Sequence, residues 1–126
     1  MLTKATILDL DDLVRETVPV PEWGVDVVVR TMTGGERDAF ESEISKAGGF
    51  VGMDNVRARL IVRTAVDESG ARLFTDDDVV ALSGKSAAAL SRLFDVAARL
   101  NGLTKEDKEE LAGNSSGVPG ADSASD

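Results

Sequence analysis

Pro21-Glu22-Trp23-Gly24, followed by Val25-Asp26-Val27-Val28-Val29-Arg30 and then by Met32-Thr33-Gly34-Gly35-Glu36-Arg37-Asp38-Ala39-Phe40-Glu41, is the stretch that decides the fold. Its first four residues read as a turn carrying the chain's only tryptophan. The valine-rich run after it favours an extended strand, because β-branched side chains fit a pleated surface. Thr33 then stands three residues before Glu36, the spacing of a capping box. In that device the threonine oxygen accepts from the N–H of Glu36, while the glutamate reaches back to the N–H of Thr33. Turn, strand and capped helix in direct succession predict an α+β chain.

On the N-terminal side, Asp9, Asp11 and Asp12 precede Leu13 and Val14. They predict a short first helix or turn, since carboxylates favour the positive end of a helix. Residues 16–20 then extend toward Pro19 and Pro21. Proline has no N–H to give a ladder, so this strand belongs at a sheet edge, paired with residues 25–32 across the turn.

Downstream, Phe40, Ile44 and Ala47 recur at i, i+4 and i+7, one face of a helix that ends at Gly48-Gly49. A second helix is predicted over residues 54–66, apolar at Val56, Leu60, Ile61, Ala65 and Val66. That stripe is wide enough for contact on more than one side, which places the helix at the centre of the core. Turn residues at 67–70 lead into a short extended piece at 71–74. Thr75, with Asp76, Asp77 and Asp78 behind it, predicts another capped helix start, docked by Val79, Val80 and Leu82. Ser86 is expected to cap a longer helix in which Leu90, Leu93, Phe94, Ala97 and Leu100 repeat at the helical period, closed by Asn101-Gly102. Thr104 followed by Asp107 predicts a last short helix to residue 112. Residues 113–126, GNSSGVPGADSASD, are small and turn-forming and predict a disordered, acidic, Gly/Ser-rich tail. The expected architecture is α+β: an N-terminal β-hairpin packed on a small bundle of four or five short helices, one domain over 1–112, then the disordered tail.

Composition narrows the function. At 126 residues the chain can bury roughly two-thirds of its unfolded surface, so a core forms without staples. Lys and Arg number 14 against 23 Asp and Glu, a net charge of -9 with a pI near 4.5. Such a chain is a poor partner for phosphate backbones or anionic lipid. Cysteine and histidine are both absent. This removes disulfides, thiolate metal sites, the commonest zinc ligand and the commonest general base near neutral pH. The first residues lack the apolar run of a signal peptide, and no apolar run approaches the roughly 20 residues that span a bilayer. The expectation is a cytoplasmic protein with no cofactor, metal, nucleic acid or membrane to bind.

Motifs that invite chemistry have plainer readings. Adjacent aspartates at 76–78 point about 100° apart on a helix, and no calcium-loop pattern surrounds them. Asp9-Leu10-Asp11-Asp12 does not follow a buried strand that would position a nucleophilic carboxylate. Gly84-Lys85-Ser86 resembles the end of a phosphate-binding loop, but Val79 occupies the required earlier glycine position. Asn114-Ser115-Ser116 is a sequon without a secretion signal. Trp23 either plugs the core beneath the hairpin or anchors a partner. Glu36 and Arg37 read as a cap and a solvated charge. No nucleophile-base pair or ligand cluster can be assembled, so an enzyme is not expected.

Taken together, Pro-Glu-Trp-Gly at 21–24, Met-Thr-Gly-Gly-Glu-Arg-Asp-Ala-Phe-Glu at 32–41, Arg57-Ala58-Arg59-Leu60, Leu73-Phe74-Thr75 and Leu90-Ser91-Arg92-Leu93-Phe94-Asp95-Val96-Ala97 resemble, in order and spacing, the tail assembly chaperones of long-tailed bacteriophages, particularly those of actinobacterial hosts. The resemblance implies a non-enzymatic protein of the infected cell's cytoplasm, absent from the mature virion. It would bind the tape measure protein, keep it soluble, and give way as the tail tube polymerises around it. A longer frameshifted form that reaches the major tail tube protein, and self-association, are both compatible with it. Such a role needs apolar surface that the fold itself does not use up, with an acidic exterior that keeps the loaded complex soluble. Trp23, Val56, Leu60, Phe74 and Leu82 are the candidate partner-binding residues, and Thr33, Glu36, Thr75 and Ser86 the structural caps. A head-tail connector or minor tail protein of the virion is the alternative. An acidic mimic of DNA is weaker, because most carboxylates sit where helix starts need them.

Overall fold

The computed structural model describes residues 1–49 and 52–103. Two strands, β1 (Arg15–Val20) and β2 (Val25–Arg30), form the expected hairpin, in register from Arg15 opposite Arg30 to Val20 opposite Val25. The loop between them is a 3-10 turn, Pro21–Trp23, closed by Gly24, whose N–H donates to the Pro21 carbonyl and whose φ of 67° lies in the left-handed region. Glycine reaches that region without the steric penalty a Cβ brings.

A third strand, β3 (Ala65–Val66), pairs antiparallel with the other side of β2. The order β1-β2-β3 leaves β1 at the edge, where Pro19 costs no ladder bond. Val18, Val20, Val27 and Val29 are buried on one face of the sheet. That face is covered by α5 (Ala87–Leu100), which lies against both hairpin strands, and α3 (Val56–Thr64) packs along α5. Phe40 and Ile44 of α2 (Gly34–Lys46), Leu60 and Ile61 of α3, and Leu93 of α5 fill the centre.

The predicted central helix ends earlier than its apolar stripe suggests. Ala65 turns to extended backbone with ψ 131°, and Ala65 and Val66 join the sheet. A free edge of β2 offers their backbone groups a ladder at that point, and tertiary pairing overrides local period. The chain then returns through a tight turn in which Asp67 Oδ1 accepts from the N–H groups of Ser69 (2.8 Å) and Ala71 (3.1 Å), and Arg72 bridges back to Val66.

Three further expectations are corrected. The first helix, α1 (Lys4–Leu8), lies before the aspartates, because Thr3 caps it by accepting from the Thr6 N–H at 3.1 Å. Asp9 is its C-terminal cap, and Asp11 instead pairs with Arg15 at 3.1 Å. The buried face of α2 stops at Ile44, with Ala47 exposed. In α4 (Val79–Ser83), Val79 and Leu82 dock on the core three residues apart, whereas Val80 is 75% exposed, since a helix this short presents one narrow face. The helix expected at 104–112 and the tail at 113–126 lie outside the described residues.

Candidate partner-binding surface

The five residues expected to meet a partner divide into two groups. Leu60 is fully buried and Leu82 is 5% exposed, so neither offers surface in this state. Trp23, Val56 and Phe74 are half-buried, each packed against the rim of the core. Trp23 thus rests one side on the core and leaves the other open to solvent. Glu22 beside it forms a two-pronged ion pair with Arg92 of α5, which ties the hairpin turn to the helix beneath. Phe74 precedes the 3-10 turn Asp76–Asp78, flanked in sequence by exposed Leu73. Val56 opens α3 and lines a groove of about 340 Å³ with Met53, Ala58 and Leu90, a groove that neither Trp23 nor Phe74 lines.

Thr33, Glu36 and Ser86 cap the helix starts as the sequence predicts. Thr33 Oγ1 accepts from the Glu36 N–H at 3.1 Å, and Glu36 Oε1 accepts from the Thr33 N–H at 2.9 Å. Ser86 Oγ accepts from the Ala89 N–H at 3.3 Å. At Thr75 the bond runs the other way, from its N–H to Asp78 Oδ2 at 2.8 Å. Of the three aspartates, Asp78 caps the turn and Asp76 accepts from Arg72 at 2.8 Å, which holds its carboxyl below the usual range.

Sequence reasoning missed the long-range partners of these groups. Glu36 also takes both prongs of the buried Arg30 guanidinium, at 2.8 and 3.1 Å. Hydrogen bonds from Arg30, then from Thr33, outweigh desolvation and lower its pKa to about 2. Asn101 is more than a helix stop: its Oδ1 accepts from the Met32 N–H at 2.6 Å, its Nδ2 donates to the Ala97 carbonyl at 2.8 Å, and its own carbonyl accepts from Arg37 at 2.7 Å. Arg37 is therefore partly structural. Glu43 of α2 receives Arg59 at 3.1 Å and Arg63 at 2.7 Å from α3. No spacing rule announces such pairs, because the residues lie on separate elements. These networks fasten elements together and bring no nucleophile to a base. Gly84-Lys85-Ser86 links α4 to α5 without a preceding strand, so it cannot cradle a phosphate as such loops do.

What the fold leaves on its surface is apolar material. Leu2, Ile7, Leu8, Leu10 and Val14 are all exposed, no residue of α1 is buried, and Val25, Leu73 and Val80 add to the exposed set. Single exposed apolar residues are common; here the first five named fall within the first fourteen positions.

A family model for phage tail assembly chaperones matches residues 3–114. The chain belongs to the phage tail assembly chaperone family. Its fold is similar to that in the solved structure of the bacteriophage HK97 tail assembly chaperone, with a TM-score of 0.57 and 23% identity over 77% of this chain and 89% of that one. Identity at that level speaks for the shared fold. No curated protein matches the sequence. Among the described residues of this tail assembly chaperone, no helix is long and apolar enough to cross a membrane.

Proposed function

We propose that this chaperone binds the tape measure protein of its phage, keeps it soluble in the host cytoplasm, and is displaced as tail-tube subunits polymerise around it. The role is non-enzymatic, and the protein leaves before the virion matures. The exposed apolar residues of the first fourteen positions carry this reading, since among the described residues they belong to no core. A long helical client would bury them, and the net charge of -9 would keep the loaded complex in solution. Trp23, Val56 and Phe74 are the proposed anchors at the rim of the core, with Leu60 and Leu82 supporting them from beneath. A longer frameshifted form is the proposed route to the major tail tube protein.

Co-expression with the tape measure protein of the same genome tests this. The expected result is that the tape measure protein becomes soluble and co-purifies, and that purified virions lack the chaperone by mass spectrometry. A tape measure protein that stays insoluble and unbound beside a folded chaperone overturns the reading. The chain's presence in mature virions would favour a head-tail connector or minor tail protein instead. Trp23→Ala and Phe74→Ala should weaken co-purification while the circular dichroism of the chaperone stays native.

A further inference from the structure

The groove at the start of α3 joins apolar and cationic residues. Met53, Val56, Ala58 and Leu90 give it an apolar floor, Arg57 and Lys85 line it as cations, and among the described residues no aspartate or glutamate does. Among the described residues, Arg57 is the one arginine without an ion pair: Arg15, Arg30, Arg37, Arg59, Arg63, Arg72, Arg92 and Arg99 each have a carboxylate within bonding distance. Lys85 has no ion pair among them either, which it shares with Lys4 and Lys46, and it is the lysine that lines this groove. Arg57 and Arg59 start from the same turn of α3, but two positions apart on a helix are about 200° apart, so Arg59 faces Glu43 while Arg57 faces the groove. In a chain of net charge -9, Arg57 and Lys85 thus stand together without ion pairs among the described residues, beside one apolar depression.

The first turns of α3 and α5 both border this groove, through Asn55, Val56 and Arg57 on one side and Ala87 on the other. Their positive dipole ends add to the two side-chain charges. At about 340 Å³ the groove has room for a few apolar side chains. Met53 on its floor adapts readily to whatever shape enters. Apolar residues one turn apart on a helix fit such a depression between two helices, and charges beside them would meet the rim.

We propose that this groove seats helical segments of the tape measure protein in which an apolar stripe is flanked by carboxylates. This rests on the tape-measure reading above and specifies its chemistry. Acidic segments are repelled by most of this chaperone's surface and accepted here, so the groove selects which part of a long client is held and in what orientation.

The test uses the full chain and overlapping synthetic peptides that tile the tape measure protein, alongside co-purification of the intact tape measure protein. Wild-type chaperone should bind a subset of peptides rich in Asp and Glu beside apolar residues spaced one turn apart. R57E/K85E, which changes two exposed side chains without ion pairs among the described residues, should bind that subset about tenfold more weakly at low salt, with a smaller difference at high salt. R57Q/K85Q should fall between, and it covers the case in which the reversed pair does not fold. K4E/K46E alters the same net charge away from the groove and should bind as wild type. Equal binding by wild type and both groove variants overturns the groove while leaving the tape-measure function standing. Selection of neutral or basic peptides also overturns it. Failure of the wild type to hold intact tape measure protein overturns both readings together. Sedimentation of the free chain reads the other occupant: a wild-type dimer that R57E/K85E returns to a monomer would assign the groove to a second copy and overturn the client segment.

Discussion

Arg30, the last residue of β2, and Glu36, in the first turn of α2, face each other with both guanidinium prongs engaged, at 2.8 and 3.1 Å. The same carboxylate closes the capping box by accepting from the Thr33 N–H. One side chain therefore fixes a helix start and fastens it to the end of a strand. The Arg30 side chain is 6% exposed and that of Glu36 is 20% exposed, so the pair is shielded from screening by solvent.

This pair makes stability depend on acid. Glu36 has its pKa lowered from 4.5 to about 2 in the folded chain. Its stabilisation is full above the unfolded value and is lost as pH falls from 4.5 toward 2; a depression of this size is worth about 3 kcal/mol. Glu36→Gln should cost a similar amount at pH 7, because it leaves the Arg30 charge buried without its partner. Urea denaturation across pH should show the gap between wild type and variant closing as pH drops through that window. A gap that stays constant down to pH 2 would remove Glu36 as its source.

Asn101 ties the end of α5 to the junction between β2 and α2. Asn101→Ala leaves the Met32 N–H without its acceptor in a site where Met32 is buried. The expected loss is about 1–3 kcal/mol in urea denaturation. A helix C-terminus that merely stopped at Asn101 would lose only a few tenths, so the measurement separates a latch from a stop.

How much of this was legible follows from what kind of signal each feature leaves. The hairpin, the capping box of Thr33 and Glu36 and the face of α5 are local patterns, and the structure has them where the residues put them. Ala65 and Val66 continue a helical stripe in sequence, yet they pair with β2, whose free edge no local pattern reveals. Val80 looks apolar enough for the core, but α4 has five residues and turns it to solvent. At the candidate surface, apolarity singled out Leu60 and Val56 alike. It could not tell which one the core would consume, since that depends on α5 and the sheet packing over α3. Arg57 and Lys85 were invisible for the complementary reason: what marks them is the absence of a partner, and partners are set by tertiary structure.

Burial and exposure should separate cleanly in a pair of substitutions. Leu60→Ala removes a fully buried side chain and leaves a cavity at the centre of the core, with an expected cost of about 2–5 kcal/mol. Val80→Ser, at a position 75% exposed, should change stability by no more than about 0.5 kcal/mol. Chemical denaturation reads both. A mild Leu60→Ala would mean that the core around α3 collapses to fill the space.

Two glycines on either side of β2 should respond to alanine with opposite signs. Gly24 closes the hairpin turn at φ 67°, and a Cβ there would meet nothing within 4 Å. The cost of Gly24→Ala is therefore backbone strain alone, about 1 kcal/mol, with no clash to relieve. Gly35 lies in the first turn of α2 with ordinary helical backbone, and a Cβ there also meets open space. Gly35→Ala narrows the unfolded ensemble without disturbing the native one, and should stabilise the fold by roughly 0.4–1 kcal/mol. The two changes are chemically identical and sterically equal, so thermal denaturation of the pair isolates the sign of φ as the variable. A destabilised Gly35→Ala would show that the start of α2 needs glycine for more than space, and would place the constraint at the Thr33 and Glu36 cap that precedes and spans it.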